Sequence, residues 1–480
     1  MPLNKRKFHP GFLVSIGFSL LILPAMACNF ASQILSLPTS TPVPSSTPTL
    51  TPTPEFTLTP TPLDLEKDVY IPADCKGQAL ATQPVQRLSA SPTPTVEPNP
   101  PLSKDMQLKV FDQLTTTITK HYLYPDYNGL DWPALVKSSR AKINAGLDVP
   151  AFYNELESLV SALGDDHSQY QSPAEVARLD SELSGRQDFV GLGIMITTVL
   201  ERNLITVMSV FPGSPAEYAG LKPHDNLLAV DGLPLVEGGV PYNFRIRGPE
   251  CSAVVVKVQS QGEEPRQIML IRHHITDSLR VESRLLDTRD GSKIGYIFIP
   301  SFYDETIPAQ VQNSLQKLGR LDGLILDNRQ NEGGAGDIVE KIIAFFAKGK
   351  LGDYVLRNEK IPFSVKAQPI QNSQEVPLIV LVGEDTVSFG EIFSGILQDI
   401  GRAKIVGQTT LGNVEILLQY TFDDGSRAWI ASERFAPLNS DANWEKDGII
   451  PDQQAYAPWD TITFETDPAI LASIALFGHH

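Results

Sequence analysis

The chain is poor in cysteine. Its 480 residues include only three, Cys28, Cys75 and Cys251. That is too few for a disulfide-built scaffold, and none stand in the paired Cys-x-x-Cys spacing of a structural zinc site. No His-Glu-x-x-His run occurs, which excludes a zinc-protease helix, and no Gly-x-x-x-x-Gly-Lys loop, which excludes a phosphate-cradling nucleotidase. No metal and no cofactor is implied. Basic runs are missing beyond Lys5, Arg6 and Lys7. With 56 acidic against 39 basic residues the net charge is -17, a balance that disfavours nucleic acid and anionic membrane as partners. Long apolar runs are missing too. The most apolar stretch, residues 12–23, is too short to span a bilayer comfortably.

What is present begins with a targeting pattern. Lys5, Arg6 and Lys7 form a positive n-region and residues 12–23 an apolar h-region. The run Leu23-Pro24-Ala25-Met26-Ala27-Cys28 resembles a bacterial lipoprotein signal, in which Cys28 becomes the lipidated first residue of the mature chain. An ordinary signal peptide cleaved after Ala27 is the alternative. Either implies export and an oxidising compartment. If Cys28 is lipidated, Cys75 and Cys251 are an even pair, open as a disulfide or as two separate buried thiols, because sequence carries no distance. Residues 37–62 are Thr/Ser/Pro repeats with almost nothing apolar to bury, and residues 91–101 repeat the pattern. They read as an extended, semi-rigid stalk.

Folded sequence starts near Ser103. Met106, Val110, Leu114 and Ile118 recur at helical spacing, and further helices are predicted over 133–143 and 149–163. His121 falls mid-helix on this reading. Strand and turn signals follow: 204–210, 226–230, 254–258 and 267–271 are predicted strands, with a turn and short helix over 212–221. From about 279, short apolar runs at 294–299, 324–326 and 378–382 each lead through a loop into a helical pattern. That is α/β architecture with buried strands.

Two runs in this last part carry chemistry. One is Leu324-Ile325-Leu326-Asp327-Asn328-Arg329-Gln330-Asn331-Glu332-Gly333-Gly334, a buried strand running into a glycine pair. The other is Thr386-Val387-Ser388-Phe389-Gly390-Glu391-Ile392, which opens a helix after a strand. A serine at a strand-loop-helix junction meets free N–H groups and a partial positive charge. Backbone N–H groups of Phe389, Gly333 and Gly334 can form an oxyanion hole there. Ser388-x-x-Glu391 is equally a helix capping box, and the two roles are compatible.

The middle of the chain resembles a PDZ domain of the kind found inside C-terminal processing peptidases. The matching residues are Gly191-Leu192-Gly193-Ile194, Pro212-Gly213-Ser214-Pro215-Ala216, Ala219-Gly220-Leu221 and Ile246-Arg247-Gly248-Pro249. The resemblance implies a peptide added to a strand edge, its terminal carboxylate held by the N–H groups of Gly191, Leu192, Gly193 and Ile194. His224 stands where such turns more often have glycine and is given no role. From about Ser103 to Pro458 the chain resembles the family of C-terminal processing and tricorn-like serine peptidases. The resemblance rests on Asn-x-Gly-Gly at 331–334, Ser-x-x-Glu-Ile at 388–392, Gly407-x-Thr409 and Gly448-Ile449-Ile450-Pro451-Asp452.

The resemblance implies a crotonase/ClpP-like α/β catalytic core with an N-terminal helical segment and an inserted β-rich PDZ domain. It divides the chain into a lipoprotein signal (1–27), a stalk (28–102), a helical domain (103–185), a PDZ domain (186–275) and a catalytic domain (276–480). It names Ser388 as nucleophile. The C-terminal processing branch takes its base from a lysine shortly after the Gly-x-Thr run, where this chain has Asn413, and a carboxamide cannot accept the serine proton. Lys404 is off the motif. The tricorn-like branch uses Ser-His-Glu, and its base position corresponds to His167 and its acid position to Glu445, with Glu433 and Asp447 as alternative acids. The implied function is a serine endopeptidase acting outside the cytoplasm on polypeptides recognised through their C-termini. The competing reading is a PDZ-containing binding lipoprotein on an inactive peptidase fold.

Overall fold

Buried strands set the architecture. Ile294–Phe298, Gly323–Asp327 and Leu378–Val382 are covered along their whole length, which requires packing on both faces of their sheet. This computed structural model describes residues 69–77, 99–165, 167–184, 189–275, 280–286, 288 and 290–478. The residues from Tyr70 onward form one compact unit. The proposed signal segment, Cys28 and the repeats of 37–62 lie outside the described residues, as does Asp166.

The buried sheet runs Glu282–Leu286, Ile294–Phe298, Gly323–Asp327, Leu378–Val382, Lys404–Gly407 and Gln453–Gln454. Its first pair is antiparallel and the rest are parallel. One face, with Ile297, Leu326, Val380 and Ile405, packs on the helices Ile307–Leu318, Gly336–Phe346 and Phe389–Asp399. The other, with Tyr296, Ile325, Ile379 and Leu381, packs on Pro468–Phe477. Parallel strands carry their functional loops at their carboxyl ends, here 328–334, 383–388 and 408–413.

The middle block is a separate antiparallel sheet in the order Arg266–Ile271, Ala253–Gln259, Asn226–Val230, Leu204–Val210, Ile194–Val199. It closes its own core around Leu192, Val207, Leu227, Val254 and Val256. Ile194–Val199 is an edge strand, bonded on one side only. His224 takes a left-handed φ of 74°, the physical reason glycine suits that turn.

The helical segment begins at Lys104–His121, capped by Ser103. Trp132–Ala145 and Val149–Ser161 follow, capped by Asp131 and Asp148 with proline in the first turn. Their apolar stripe does not close a core alone. Phe111, Leu114, Phe152 and Leu156 share one core with Phe422, Ala428, Ile430 and Ala431. Ala428, Ile430 and Ala431 belong to a second antiparallel sheet of Gln169–Gln171, Arg427–Pro437, Gly349–Leu356 and Lys360–Val365, with Ile416–Thr421 on Arg427–Pro437 and Phe422 just after Ile416–Thr421. His121 is the last residue of its helix rather than a mid-helix residue; its ring tilts over Tyr420 at 5.2 Å.

Cys75 and Cys251 are bonded, with Cα atoms 5.3 Å apart. The bond ties the segment 69–77 to the middle block, where Tyr70 also stacks on Tyr218 and Asp74 meets His273 at 2.8 Å. Among the described residues, no helix is long and apolar enough to cross a membrane.

Candidate active site

Ser388 sits where the sheet strand Leu378–Val382 turns into the helix Phe389–Asp399. Its backbone is left-handed, φ 55° and ψ −123°. The loop before it is pinned to the neighbouring loop: Thr386 Oγ1 donates to Asn328 O at 2.9 Å, and Val387 N–H to Asn331 O at 3.0 Å. Asn328 Nδ2 also reaches Gly390 O and Ser394 Oγ in the first turns of the helix. The two asparagines therefore fix the serine-bearing turn against the glycine pair. A Cβ placed on Gly333 would lie 2.8 Å from Ser388 Cβ and 3.0 Å from Phe389 N, so only glycine permits this approach.

The three expected oxyanion donors are not equivalent. Gly333 N–H donates to Asn331 Oδ1 at 2.9 Å. It is occupied, and this removes one donor expected from the sequence. Phe389 is the first helical residue and has no intrahelical acceptor. Gly334 N–H makes no hydrogen bond among the described residues.

The base and acid positions converge from opposite ends of the folded chain. His167 lies in the turn after Val149–Ser161. Asp165 holds that turn by accepting from His167 N–H at 3.0 Å and from Ser168 N–H at 2.7 Å. Ser168 Oγ accepts from Ala431 N–H, fastening the turn to the second antiparallel sheet. Glu445 lies in the short helix Trp444–Asp447, and its Oε1 meets His167 Nε2 at 2.7 Å. Its Oε2 accepts from Val414 and Glu415 N–H at 2.7 and 3.0 Å. Burial alone would lower the His167 pKa. The hydrogen bond and charge of Glu445, with Glu415 and Asp165 behind, outweigh it and raise the pKa above the ordinary value.

Serine and pair share one scaffold. The buried Glu391 carboxylate accepts from Ser388 N–H at 3.2 Å, from Thr410 Oγ1, from Gly412 N–H at 2.9 Å and from Asn413 N–H at 2.8 Å. Asn413, at the lysine position, is thus beside the serine turn, and Val414 next to it holds Glu445. Gly412 has a φ of 79°, and a Cβ there would lie 2.4 Å from Glu445 O. Among the described residues no hydrogen bond joins Ser388 Oγ to His167. Lys404 is exposed at the opposite, amino end of its strand, in register with Ile379. The alternative acids lie elsewhere: Asp447 is exposed, and Glu433 pairs in register with Leu356 and Ile416.

One residue here went unread in the sequence. Glu415 is 5% exposed and accepts from the Tyr124 hydroxyl. Burial first, then the charges of Glu445 and Asp165, push its pKa up to about 7, against the pull of Tyr124 and His167. Its one sequence signal is an acid set in the apolar run Val414-Glu415-Ile416-Leu417-Leu418.

In the middle block, Gly193 has a φ of 76° and packs so tightly on Ser214 that a Cβ would fall 2.2 Å from it. Leu192 O and Gly193 O accept from Ala216 and Phe211 N–H, while Gly191 pairs with His273 and Ile194 with Val210. Between the edge strand and the buried sheet lies a cavity of 670 Å³, lined by Thr197, Val199, Arg329, Gly383 and Tyr456 among others.

Comparison with known proteins puts a family to this arrangement. A family model described as Peptidase family S41 matches residues 293–455. A carboxyl-terminal-processing protease of Synechocystis sp. is 32% identical over 328 residues, 66% of this chain and 74% of that protein. The chain belongs to peptidase family S41. Carboxyl-terminal-processing peptidase 2, chloroplastic, of Arabidopsis thaliana is 27% identical over 358 residues, 72% of this chain and 68% of that protein. The solved structure titled photosystem II D1 C-terminal processing protease shares the fold, with a TM-score of 0.52 and 24% identity over 77% of this chain and 96% of that one. This S41 member is a serine-type peptidase. The matched stretch contains Ser388, the glycine pair, Glu391, Glu415 and Glu445; His167 and the middle block lie before it.

Proposed function

We propose that this S41 peptidase is an endopeptidase working with a Ser388–His167–Glu445 triad in place of a serine–lysine pair. The observation that carries the reading is the 2.7 Å contact between His167 and Glu445, formed in a chain whose lysine position is Asn413. Glu445 orients the imidazole and stabilises its charged form. With Nε2 on Glu445, Nδ1 is left to take the Ser388 proton. Serine and histidine close on each other when substrate is bound. Ser388 attacks the peptide carbonyl, Gly334 and Phe389 N–H hold the oxyanion, His167 protonates the leaving amine, and water releases the acyl group.

The catalytic core is of the crotonase/ClpP-like kind, and the middle block is a PDZ domain that takes the substrate's C-terminal tail. The unpaired edge of Ile194–Val199 and the left-handed Gly193 support this, because a peptide can add to the edge and leave its carboxylate at the Gly191–Ile194 turn. The enzyme acts outside the cytoplasm, anchored through Cys28. The Cys75–Cys251 bond supports that, since disulfides persist in oxidising compartments.

The test is labelling of the folded protein by a fluorophosphonate serine probe, alongside Ser388→Ala and His167→Ala. Labelling that both substitutions abolish is expected. Labelling that survives His167→Ala would overturn the triad but keep the peptidase. No labelling of the parent would favour a peptide-binding protein on an inactive peptidase fold.

A further inference from the structure

A buried ionisable side chain beside the triad, Glu415, is left unused by it. Glu415 follows directly on Val414, and its own N–H already holds Glu445 Oε2. One oxygen of Glu415, one of Glu445 and a ring nitrogen of His167 all lie within 4.8 Å of one another. Glu415 Oε1 is held by the Tyr124 hydroxyl. Glu415 Oε2 is buried and has no hydrogen-bond partner among the described residues. Tyr124 in turn is anchored from below, because Arg357 Nη1 donates to the Tyr122 and Tyr124 carbonyls at 2.8 and 3.1 Å. Two carboxylates thus confront one imidazole, and Glu415 is the buried one of the two while His167 and Glu445 are half-buried.

That arrangement is electrostatically uneven. When His167 is neutral and ready to accept a proton, Glu415 and Glu445 repel each other if both are charged. When His167 becomes an imidazolium, both carboxylates attract it. A second acid of this kind lowers the cost of the charged histidine at the moment the serine gives up its proton. We propose that Glu415, held by Tyr124, is a positioning residue of the triad, a second carboxyl that strengthens His167 as a base through its charge. It touches neither the substrate nor the reacting serine and acts through His167. The proposal rests on the Ser388–His167–Glu445 reading.

The charged and titratable groups facing Glu415 are few. Tyr122 and Tyr124 come from the chain after Lys104–His121, Asp165 and His167 from the turn after Val149–Ser161, and Glu445 from Trp444–Asp447. Arg434 faces Tyr124 from the antiparallel sheet. Asp165 is spent on the backbone and hydroxyl of its own turn, whereas one oxygen of Glu415 has no hydrogen-bond partner among the described residues.

The experiment reads His167 directly. In the Ser388→Ala protein, with ring-labelled histidine, the His167 titration is followed by NMR with and without Glu415→Gln. The amide keeps an acceptor for Tyr124 and removes the charge. The expected result is a His167 titration displaced to lower pH. In the active protein the acid limb of kcat/KM moves the same way, and the optimum value falls about tenfold. Glu415→Asp, which keeps the charge, returns the limb towards the parent. Tyr124→Phe serves as a second variant if Glu415→Gln does not fold. Without the phenol Glu415 keeps its proton to higher pH, so the displacement has the same sign. A His167 titration unchanged in the foldable variants overturns the proposal, whatever happens to activity. A parent with no activity but a displaced titration would sink the catalytic reading and leave the coupling standing.

Discussion

Replacing Ser388 with glycine should make the protein more stable than replacing it with alanine. Both substitutions delete the hydroxyl, so they differ only in the Cβ. At φ 55° and ψ −123° an L-residue is held in a region that costs about 1–3 kcal/mol, and glycine escapes that cost. Glycine loses more chain entropy on folding, about 0.5–1 kcal/mol. Ser388 is half-buried, so the lost Cβ leaves little void. The balance is about 1 kcal/mol in favour of Ser388→Gly over Ser388→Ala. Urea unfolding followed by tryptophan fluorescence measures it as a higher midpoint at equal slope. An alanine variant equal to or more stable than the glycine one would refute the reasoning. The turn would then be relaxed, and no strain would be stored at Ser388.

The remaining predictions follow from the network around that turn. Glu391→Gln turns an acceptor oxygen of a buried side chain into a donor facing N–H groups that it now accepts from. It should cost about 2–5 kcal/mol in denaturant unfolding and slow the enzyme; a loss under about 1 kcal/mol would argue against the shared scaffold. Because the His167 pKa is raised by Glu445, its neutral, proton-accepting form is lost as pH falls through a value above the usual range near 6.5. The acid limb of kcat/KM should therefore lie above that value, and a limb below it would contradict the pairing. Removing the bond with Cys75→Ser and Cys251→Ser frees a loop closed across a separation of 176 residues. The unfolding midpoint should drop by an amount worth about 2–5 kcal/mol, and equal midpoints with and without reductant would show the bond to be dispensable.

The sequence disclosed what local pattern can disclose. The apolar run at 378–382 marked a buried strand because both its faces are covered, and the same holds at 294–298. The serine junction was legible from its breakers and the apolar spacing of Ile392, Ile396 and Leu397. His167 and Glu445 came from resemblance, since a turn histidine and a solvated glutamate look alike in isolation. The sheet of Gly349–Leu356, Lys360–Val365, Ile416–Thr421 and Arg427–Pro437 was not read. Most of its strands are half-exposed and lack an unbroken apolar run. The helical segment read as a domain of its own because periodicity shows which face is buried but not what buries it. Its partners Phe422 and Ile430 are far along the chain. Glu415 was passed over because a single acid reads as an outward charge until its neighbours are known.

The pairing of His167 with Glu445 spans 278 residues of chain. Contacts of that range carry the largest loop-closure cost and belong to the slow end of folding. Lys104–His121 and Val149–Ser161 bring in His167, yet their core closes only once residues 422–431 have been made and packed. On the proposed triad, a partly synthesised chain can hold the serine turn and still lack its base. Assembly order then works as a safety catch, and cleaving power comes last, when nearly the whole protein is in place.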